Sequence, residues 1–242
     1  MSVARVPPAR PGGRHLLRSS RLAAAIVADA GIGAGDLVLD IGAGSGMLTR
    51  ALLATGARVV AIEPDRALNR RLRRAAPGAE VVAADARDEP WPGVPFRVVA
   101  NLPFAHAAAI CRSLLDPDVP LISADLIVEW DFAAKRARLW PSTAQTVVWS
   151  AWHELTVARR LEPAAFAPRP SVAAGVLRAR RRERPLVPVA QAPAYERFVR
   201  AGFRAASTAR GRDPHAWAAL FLESSGDDRT VHAMKPRRRR RR

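Results

Sequence analysis

A chain of 242 residues, 49% of them apolar, can hold one large domain, or a medium domain with a small appendage. Lysine and arginine number 39 against 22 acids, a net charge of +17, and removing Lys235 and Arg237 to Arg242 still leaves +10. A tail therefore does not account for the bias, and the expected partner is a polyanion, above all nucleic acid. No run approaches the ~20 uncharged apolar residues of a membrane span. Arg5, Arg10, Arg14, Arg18 and Arg21 with no apolar run before Leu22 exclude a secretory leader, and a lone Cys111 excludes an internal disulfide, so a cytoplasmic protein is expected.

Residues 1–13, with Pro7-Pro8, Pro11 and Gly12-Gly13, read as a flexible basic arm. Ser19-Ser20 cap a helix to about Ala30, which Gly31 ends. Strands and helices then alternate: strand Leu37 to Ile41, helix Met47 to Thr55, strand Arg58 to Ile62, helix Asp65 to Ala76, and a short strand Glu80 to Ala83. Phe96 to Ala100 is the fourth strand, Ala107 to Leu115 a helix, and Leu121 to Val128 the fifth strand. Short apolar strands separated by helices predict a parallel, doubly wound α/β sheet buried on both faces. Thr146 to Arg159 and Val172 to Arg181 read as extended and fit an antiparallel pair at the sheet edge. Pro185 and Pro188 mark a boundary, followed by short helices over Ala194 to Ala206 and Asp213 to Leu222. The expected organisation is a catalytic domain over 14–184, a small helical domain over 185–234 and a disordered arginine-rich tail over 235–242.

Asp40-Ile41-Gly42-Ala43-Gly44-Ser45-Gly46 lies where the first strand turns into a helix, and glycines there let a ligand approach the backbone. Met47 stands where a dinucleotide fingerprint needs Gly or Ala, which disfavours a nicotinamide or flavin. Asp40 would repel a pyrophosphate and suits a cationic amine reached through water or backbone. Glu63 closes the second strand, where a carboxylate can accept both hydroxyls of a ribose. Asp85 ends the third, placed to accept from an adenine amine. Each acid alone reads equally as a cap or a solvated loop residue. Three acids ending three successive parallel strands form a constellation, and ligands of such sheets collect at those ends. An amino-acid arm, a ribose and an adenine together specify S-adenosylmethionine.

The fourth strand ends in Asn101-Leu102-Pro103-Phe104. An amide oxygen, the backbone carbonyls of Leu102 and Pro103 and an aromatic face suit a planar base carrying an exocyclic amine. Alone, the tetrapeptide is an ordinary strand stopped by proline; after the acid-ended strands it reads as the substrate loop. The N6 lone pair of adenine is delocalised into the ring, so hydrogen bonds from the amine to Asn101 Oδ1 and the Leu102 carbonyl would favour a more tetrahedral nitrogen, aimed at the methyl. No strong base is needed, and positioning carries the catalysis. Phe104 would stack on a flipped base. The five histidines show no metal-ligand spacing, and no metal is expected.

These residues make the chain similar to the class I methyltransferases that modify adenine N6. It resembles the ribosomal RNA adenine N6-methyltransferases, which include the Erm macrolide-resistance enzymes and the KsgA/Dim1 enzymes. Phe166-Ala167-Pro168-Arg169-Pro170-Ser171-Val172 matches the family's Phe-x-Pro-x-Pro-x-Val, and Gly13-Arg14-His15-Leu16-Leu17 departs from its Ser-Gln-Asn-Phe-Leu. Glu129-Trp130-Asp131-Phe132-Ala133-Ala134-Lys135-Arg136 is similar to the Erm pattern Gln-x-Glu-Tyr-Ala-x-Lys-Arg with its acids altered. Arg181-Arg182-Glu183-Arg184-Pro185-Leu186 looks like the same region of Erm proteins from high-GC antibiotic producers. The resemblance implies a Rossmann-like sheet with a small C-terminal helical domain, and His15, Leu17, Pro64 and Ala86 as further cofactor-binding residues. It implies methylation of a 23S rRNA adenine, met before ribosome assembly is complete, by a monomer that confers macrolide, lincosamide and streptogramin B resistance. A small-subunit rRNA dimethyltransferase of the KsgA kind and a non-catalytic RNA-binding relative are the alternatives. Lys135, Arg136, Arg138, Arg159, Arg160, Arg180, Arg181 and Arg182 are the candidate RNA contacts, with the terminal arginines adding salt-sensitive affinity.

Overall fold

Strands apolar along their whole length are stable only when covered on both faces, and this chain covers them so. The structure, a computed structural model, describes residues 15–205 and 211–233. The basic arm, Gly13, Arg14 and the terminal arginine run lie outside the described residues. A two-stranded antiparallel ribbon joins β1 (Leu16–Leu17) to β8 (Phe166–Ala167). The main sheet holds β2 (Leu37–Ile41), β3 (Arg58–Ile62), β4 (Glu80–Val82), β5 (Phe96–Asn101), β6 (Leu121–Glu129), β7 (His153–Leu161) and β9 (Ala174–Arg181). Its order is β4-β3-β2-β5-β6-β9-β7. The first five strands pair in parallel, and β9 and β7 add the antiparallel edge expected from the sequence.

Helices α1 (Ser20–Ala30), α2 (Met47–Leu53), α3 (Arg66–Ala75), α4 (Ala107–Leu114) and α5 (Trp130–Arg136) accompany this sheet. Ser19 caps α1 by accepting from the Leu22 amide, and Gly31 ends it at φ 68°, a left-handed backbone suited to glycine. One core layer joins Ile26 and Val27 of α1 and Leu48 and Leu52 of α2 to Val38, Val59 and Val99 of the sheet. The other centres on Leu72 of α3 with Ala61 and Val81. Each such side chain contributes about 1.5–3 kcal/mol relative to exposure, which fixes the strand ends that carry polar residues.

The chain divides into two compact units, 1–138 with 153–182 and 139–152 with 183–242. The second contains α6 (Ala144–Ser150), α7 (Ala192–Arg204) and α8 (Pro214–Ala233). Its core is aromatic: Trp152, Tyr195, Trp217 and Phe221 with Val147 and Val199, and the Trp152 indole donates to the Val187 carbonyl at 2.9 Å. Gly202 leaves room for the Trp217 ring, which a Cβ there would meet at 2.5 Å.

Two local readings are corrected. Thr146 to Ser150, expected as strand, is helix: Thr143 accepts from the Thr146 amide, and Val147, Val148 and Trp149 bury together. Tertiary burial overrides the β-branched run. The helix expected to end at Leu222, α8, runs to Ala233, and the segment after β6, to which the sequence assigned no element, forms α5. Among the described residues no helix is long and apolar enough to cross a membrane.

Candidate active site

The carboxyl ends of β2, β3 and β5 and the loop following β4 open onto a cavity of about 460 Å³ lined by Gly42, Pro64, Asp65, Asp85, Ala86, Pro103 and His106, among others. Two smaller cavities sharing Leu16 and Gly42 with it reach Glu63 and Asn101, and Asp40 and Asn101. The expected residues from the ends of separate strands are thus brought together.

Glu63 is 2% exposed. Its Oε2 accepts from the Gly44 amide at 2.9 Å and its Oε1 from the Asp65 amide at 2.8 Å. One carboxylate therefore ties the glycine turn after β2 to the loop after β3. Gly44, at φ 58°, also admits the Leu16 side chain, which a Cβ would meet at 2.7 Å. Gly46 makes room for Leu72 of α3 and lines none of these cavities, so its part is packing.

Asp40 behaves differently from the expected amine ligand. It is 1% exposed and accepts from Thr49 Oγ1 at 2.6 Å, joining β2 to α2. Burial raises its pKa from 3.8 to about 7, opposed by the Thr49 hydrogen bonds and reinforced by the Glu63 charge. The folded chain thus holds a proton that the unfolded chain releases near 3.8. This contribution to stability is complete below that value and lost as pH rises through about 7. Asp40→Asn mimics the protonated form. Its melting temperature relative to the wild type is expected to be higher at pH 8 than at pH 5; a difference independent of pH would overturn the assignment.

Asp85 is clamped by a neighbour that sequence reasoning passed over. Arg87 donates Nη2 to Oδ2 at 2.7 Å and both Nε and its amide to Oδ1 at 3.0 and 2.9 Å. The guanidinium hydrogen bonds, then the amide one, draw the carboxyl pKa down to about 2. An adenine amine at Asp85 would share this carboxylate with Arg87.

The loop leaving β5 places its acceptors unequally. Asn101 Nδ2 donates to the His15 carbonyl at 2.7 Å, whereas Asn101 Oδ1 is buried with no hydrogen-bond partner among the described residues. The Pro103 carbonyl is taken by the His106 amide at 2.9 Å, while no hydrogen bond reaches the Leu102 carbonyl among the described residues. Of the two backbone carbonyls read from the sequence, that of Leu102 is the one that accepts no hydrogen bond among the described residues. Leu102 itself is anchored: its side chain is buried and its amide donates to Ile127 at 3.1 Å.

His15 is held by the β1–β8 ribbon. Its Nδ1 donates to the Pro168 carbonyl at 2.8 Å, and since that oxygen only accepts, Nδ1 carries the hydrogen. The imidazole lies 5.4 Å from the Phe104 ring. It packs beside that ring, and its backbone oxygen orients the Asn101 amide. Leu17, expected at the cofactor, is largely core, with its edge at the smallest cavity; Leu16 lines the large one. Leu16, Ile62, Arg71 and His106 were missed as lining residues. Ile62 and His106 had a sequence signal, the end of a strand and the turn just past Phe104; Arg71 had only its place on a helix following Glu63.

The arginines expected to grip RNA from the sheet edge are largely engaged by protein. Arg159 pairs with Asp29 at 2.6 Å, and Arg160 with Glu162 at 3.2 Å while covering the Trp130 ring. Arg180 donates to the Ala30 carbonyl, Arg181 to those of Pro117 and Val119, and Arg182 to Glu154. On α5, Arg136 lies over the Phe132 ring at 4.8 Å and Lys135 is exposed, as is Arg138 two residues past the helix.

A family model described as ribosomal RNA adenine dimethylase matches residues 12–209. An rRNA adenine N-6-methyltransferase of Corynebacterium diphtheriae is 34% identical over 72% of this chain and 68% of that protein. The mycinamicin-resistance protein MyrB of Micromonospora griseorubida is 36% identical over 67% of this chain and 52% of its own length, so the match spans about half of that relative. Among solved structures, the 23S rRNA methyltransferase ErmE superposes with a TM-score of 0.76 at 26% identity, covering 85% of this chain and 98% of that one.

Proposed function

We propose that this chain, which belongs to the ribosomal RNA adenine dimethylase family, methylates N6 of an adenine in 23S rRNA and thereby confers macrolide, lincosamide and streptogramin B resistance. The observation that carries the reading is the buried, unpartnered Asn101 Oδ1 with its amide nitrogen already fixed on His15. A buried acceptor without a donor costs about 1–3 kcal/mol, and an exocyclic amine would satisfy it. The similarity to ErmE and MyrB supports the choice of the large subunit and of resistance.

S-adenosylmethionine supplies an electrophilic methyl when bound, and the cavity suits a nucleoside carrying an amino-acid arm. Glu63 would accept the ribose hydroxyls, Asp85 the adenine amine, with Pro64, Ala86 and the turn that begins at Gly42 as walls, braced by the packing of Gly44 and Gly46. His15 supports Phe104 and Asn101, and Asp40 holds the turn through α2. For the target adenine, Asn101 Oδ1 and the Leu102 carbonyl would accept both amine hydrogens, turning the lone pair out of the ring. Pro103 stiffens the loop and Phe104 stacks on the flipped base. As the new N–C bond forms and the S–C bond breaks, nitrogen becomes cationic, is stabilised by these oxygens, and yields its proton to water. The first unit carries catalysis and the helical unit contacts RNA. The enzyme acts as a monomer in the cytoplasm, on rRNA whose assembly is incomplete.

Expression in a macrolide-sensitive bacterium, followed by primer extension on both large rRNAs, tests the proposal. A new stop in 23S rRNA with macrolide resistance is expected. A stop confined to 16S rRNA would overturn it in favour of a small-subunit enzyme. No stop in either, with no methyl-donor binding by the purified chain, would overturn it in favour of a non-catalytic relative.

A further inference from the structure

With the edge arginines engaged, the unneutralised charge concentrates elsewhere. Helix α3 reads Arg-Ala-Leu-Asn-Arg-Arg-Leu-Arg-Arg-Ala, five arginines in ten residues with no acid among them. Asp65 is its N-cap and accepts from the Ala67 and Leu68 amides. Leu72 and Asn69 are buried and fix which face turns inward. Arg73 is used structurally, donating to Asn69 Oδ1 at 3.0 Å and to the Val81 carbonyl at 2.6 Å. Arg66, Arg70, Arg71 and Arg74 are exposed and have no hydrogen bond or ion pair among the described residues.

Such a helix works against itself, since like charges four apart repel by about 0.2–0.5 kcal/mol per pair. Elsewhere the same chain pairs an arginine with an acid one turn away, as with Arg200 and Glu196 on α7. Arg66, Arg70 and Arg74 recur at every fourth residue, about 6 Å apart along the axis, of the order of the spacing between successive phosphates on one strand. Arg71 reaches the rim of the large cavity. The exposed large apolar side chains among the described residues, including Leu139 and Trp140, lie off α3, so the face offers nothing to insert into a lipid surface. Guanidinium forks instead match phosphate oxygens.

We propose that the outer face of α3 is a second RNA-binding surface, on which Arg66, Arg70 and Arg74 clamp the phosphate backbone of the substrate. It extends the footprint from the cavity rim along the β4 edge. This inference rests on the RNA-directed function proposed above, and it assigns the grip to an element that the sequence reading left out.

The test is salt-dependent binding of an unmodified 23S rRNA transcript to the full chain, wild type against the triple variant Arg66→Ala, Arg70→Ala, Arg74→Ala. Each phosphate contact contributes about 0.7–0.9 to the slope of log affinity against log salt. The triple variant is therefore expected to lose about 2–3 from the slope and about tenfold or more in affinity at 0.1 M salt, with turnover on saturating RNA and methyl-donor affinity kept. A matched triple, Arg18→Ala, Arg21→Ala and Arg112→Ala, exposed arginines outside both α3 and the helical unit, removes the same net charge and should weaken binding by no more than about twofold, since charges beyond ~10 Å are screened at this salt. Equal losses in both triples, or an unchanged slope in the α3 variant while the wild type binds, would overturn the surface. Failure of the wild type itself to bind or methylate the transcript would instead overturn the functional reading on which it rests.

Discussion

Methyl transfer by Asn101→Ala is expected to fall by about 10²–10³-fold in kcat, the scale for removing one preorganised group that meets charge developing in a transition state. The residue is positioned from both ends. Its Nδ2 is held on the His15 carbonyl, so Oδ1 is presented without competition from its own amide nitrogen. In the ground state the adenine nitrogen is nearly planar and holds its hydrogens weakly acidic. As it becomes cationic, the same hydrogens bind an oxygen far more strongly, so the loss should appear in kcat rather than in RNA affinity. Asn101→Asp separates acceptor from orientation. It keeps an oxygen toward the substrate but sets a second against the His15 carbonyl, and it should be impaired nearly as severely. Single-turnover methylation of 23S rRNA, with methyl-donor affinity from calorimetry as the check on an intact site, measures this. Turnover equal to the wild type in both variants would remove Asn101 from the mechanism.

What could be read from the sequence followed from one physical regularity. A parallel strand buried on both faces is an uninterrupted apolar run, so the first polar residue after it marks the edge of the sheet where ligands bind. Val59 to Ile62 and Val98 to Ala100 obey it, and Glu63 and Asn101 fall beside a cavity as a result; Asp40 interrupts β2, and Asp85 lies three residues beyond Val82, the end of β4. The antiparallel partner strands at the far edge were also legible, β7 from the partial alternation of its exposure and β9 from a run, Ala174 to Leu177, buried throughout.

Contacts distant in sequence were not legible. The β1–β8 ribbon has two residues on each strand, too short for a periodicity, yet it brings His15 onto Asn101 across 86 positions. Arg159 and Arg180 look like solvated charges until Asp29 and the Ala30 carbonyl at the end of α1 meet them. Arg178 sits opposite Asp125 in the β6–β9 register and pairs with it in a buried site, a pairing that only strand order reveals. Local chemistry misled once, at Thr146 to Val148, where β-branched residues favour a strand in isolation and the aromatic core of the helical unit favours a helix. Arg87, two residues from Asp85, was within reach of sequence reasoning and shows that a carboxylate at a strand end can already be engaged before a ligand arrives.

Glu63→Gln is expected to weaken methyl-donor binding by about 10–100-fold. The wild-type carboxylate answers two backbone donors, the amides of Gly44 and Asp65, one on each oxygen. A glutamine offers one oxygen and one NH₂, so whichever way it turns, one buried amide faces another donor. Leaving such a group unmet costs about 1–3 kcal/mol, and each 1.4 kcal/mol is a factor of ten in affinity. The cost falls on the turn that must carry the ligand, because Gly44 also has to leave space for Leu16. Thermal stability should fall as well, and part of the folding loss should be recovered at saturating donor, since a ligand that binds only the folded state stabilises it. Calorimetry with S-adenosylmethionine reads the first effect, and melting with and without the donor reads the second. Unchanged donor affinity with a lowered melting temperature would reduce Glu63 to a brace for the loop. The expected pattern is the reverse of that for Asn101: near-normal turnover once donor saturates the site, because Glu63 governs occupancy and Asn101 governs the nitrogen that reacts.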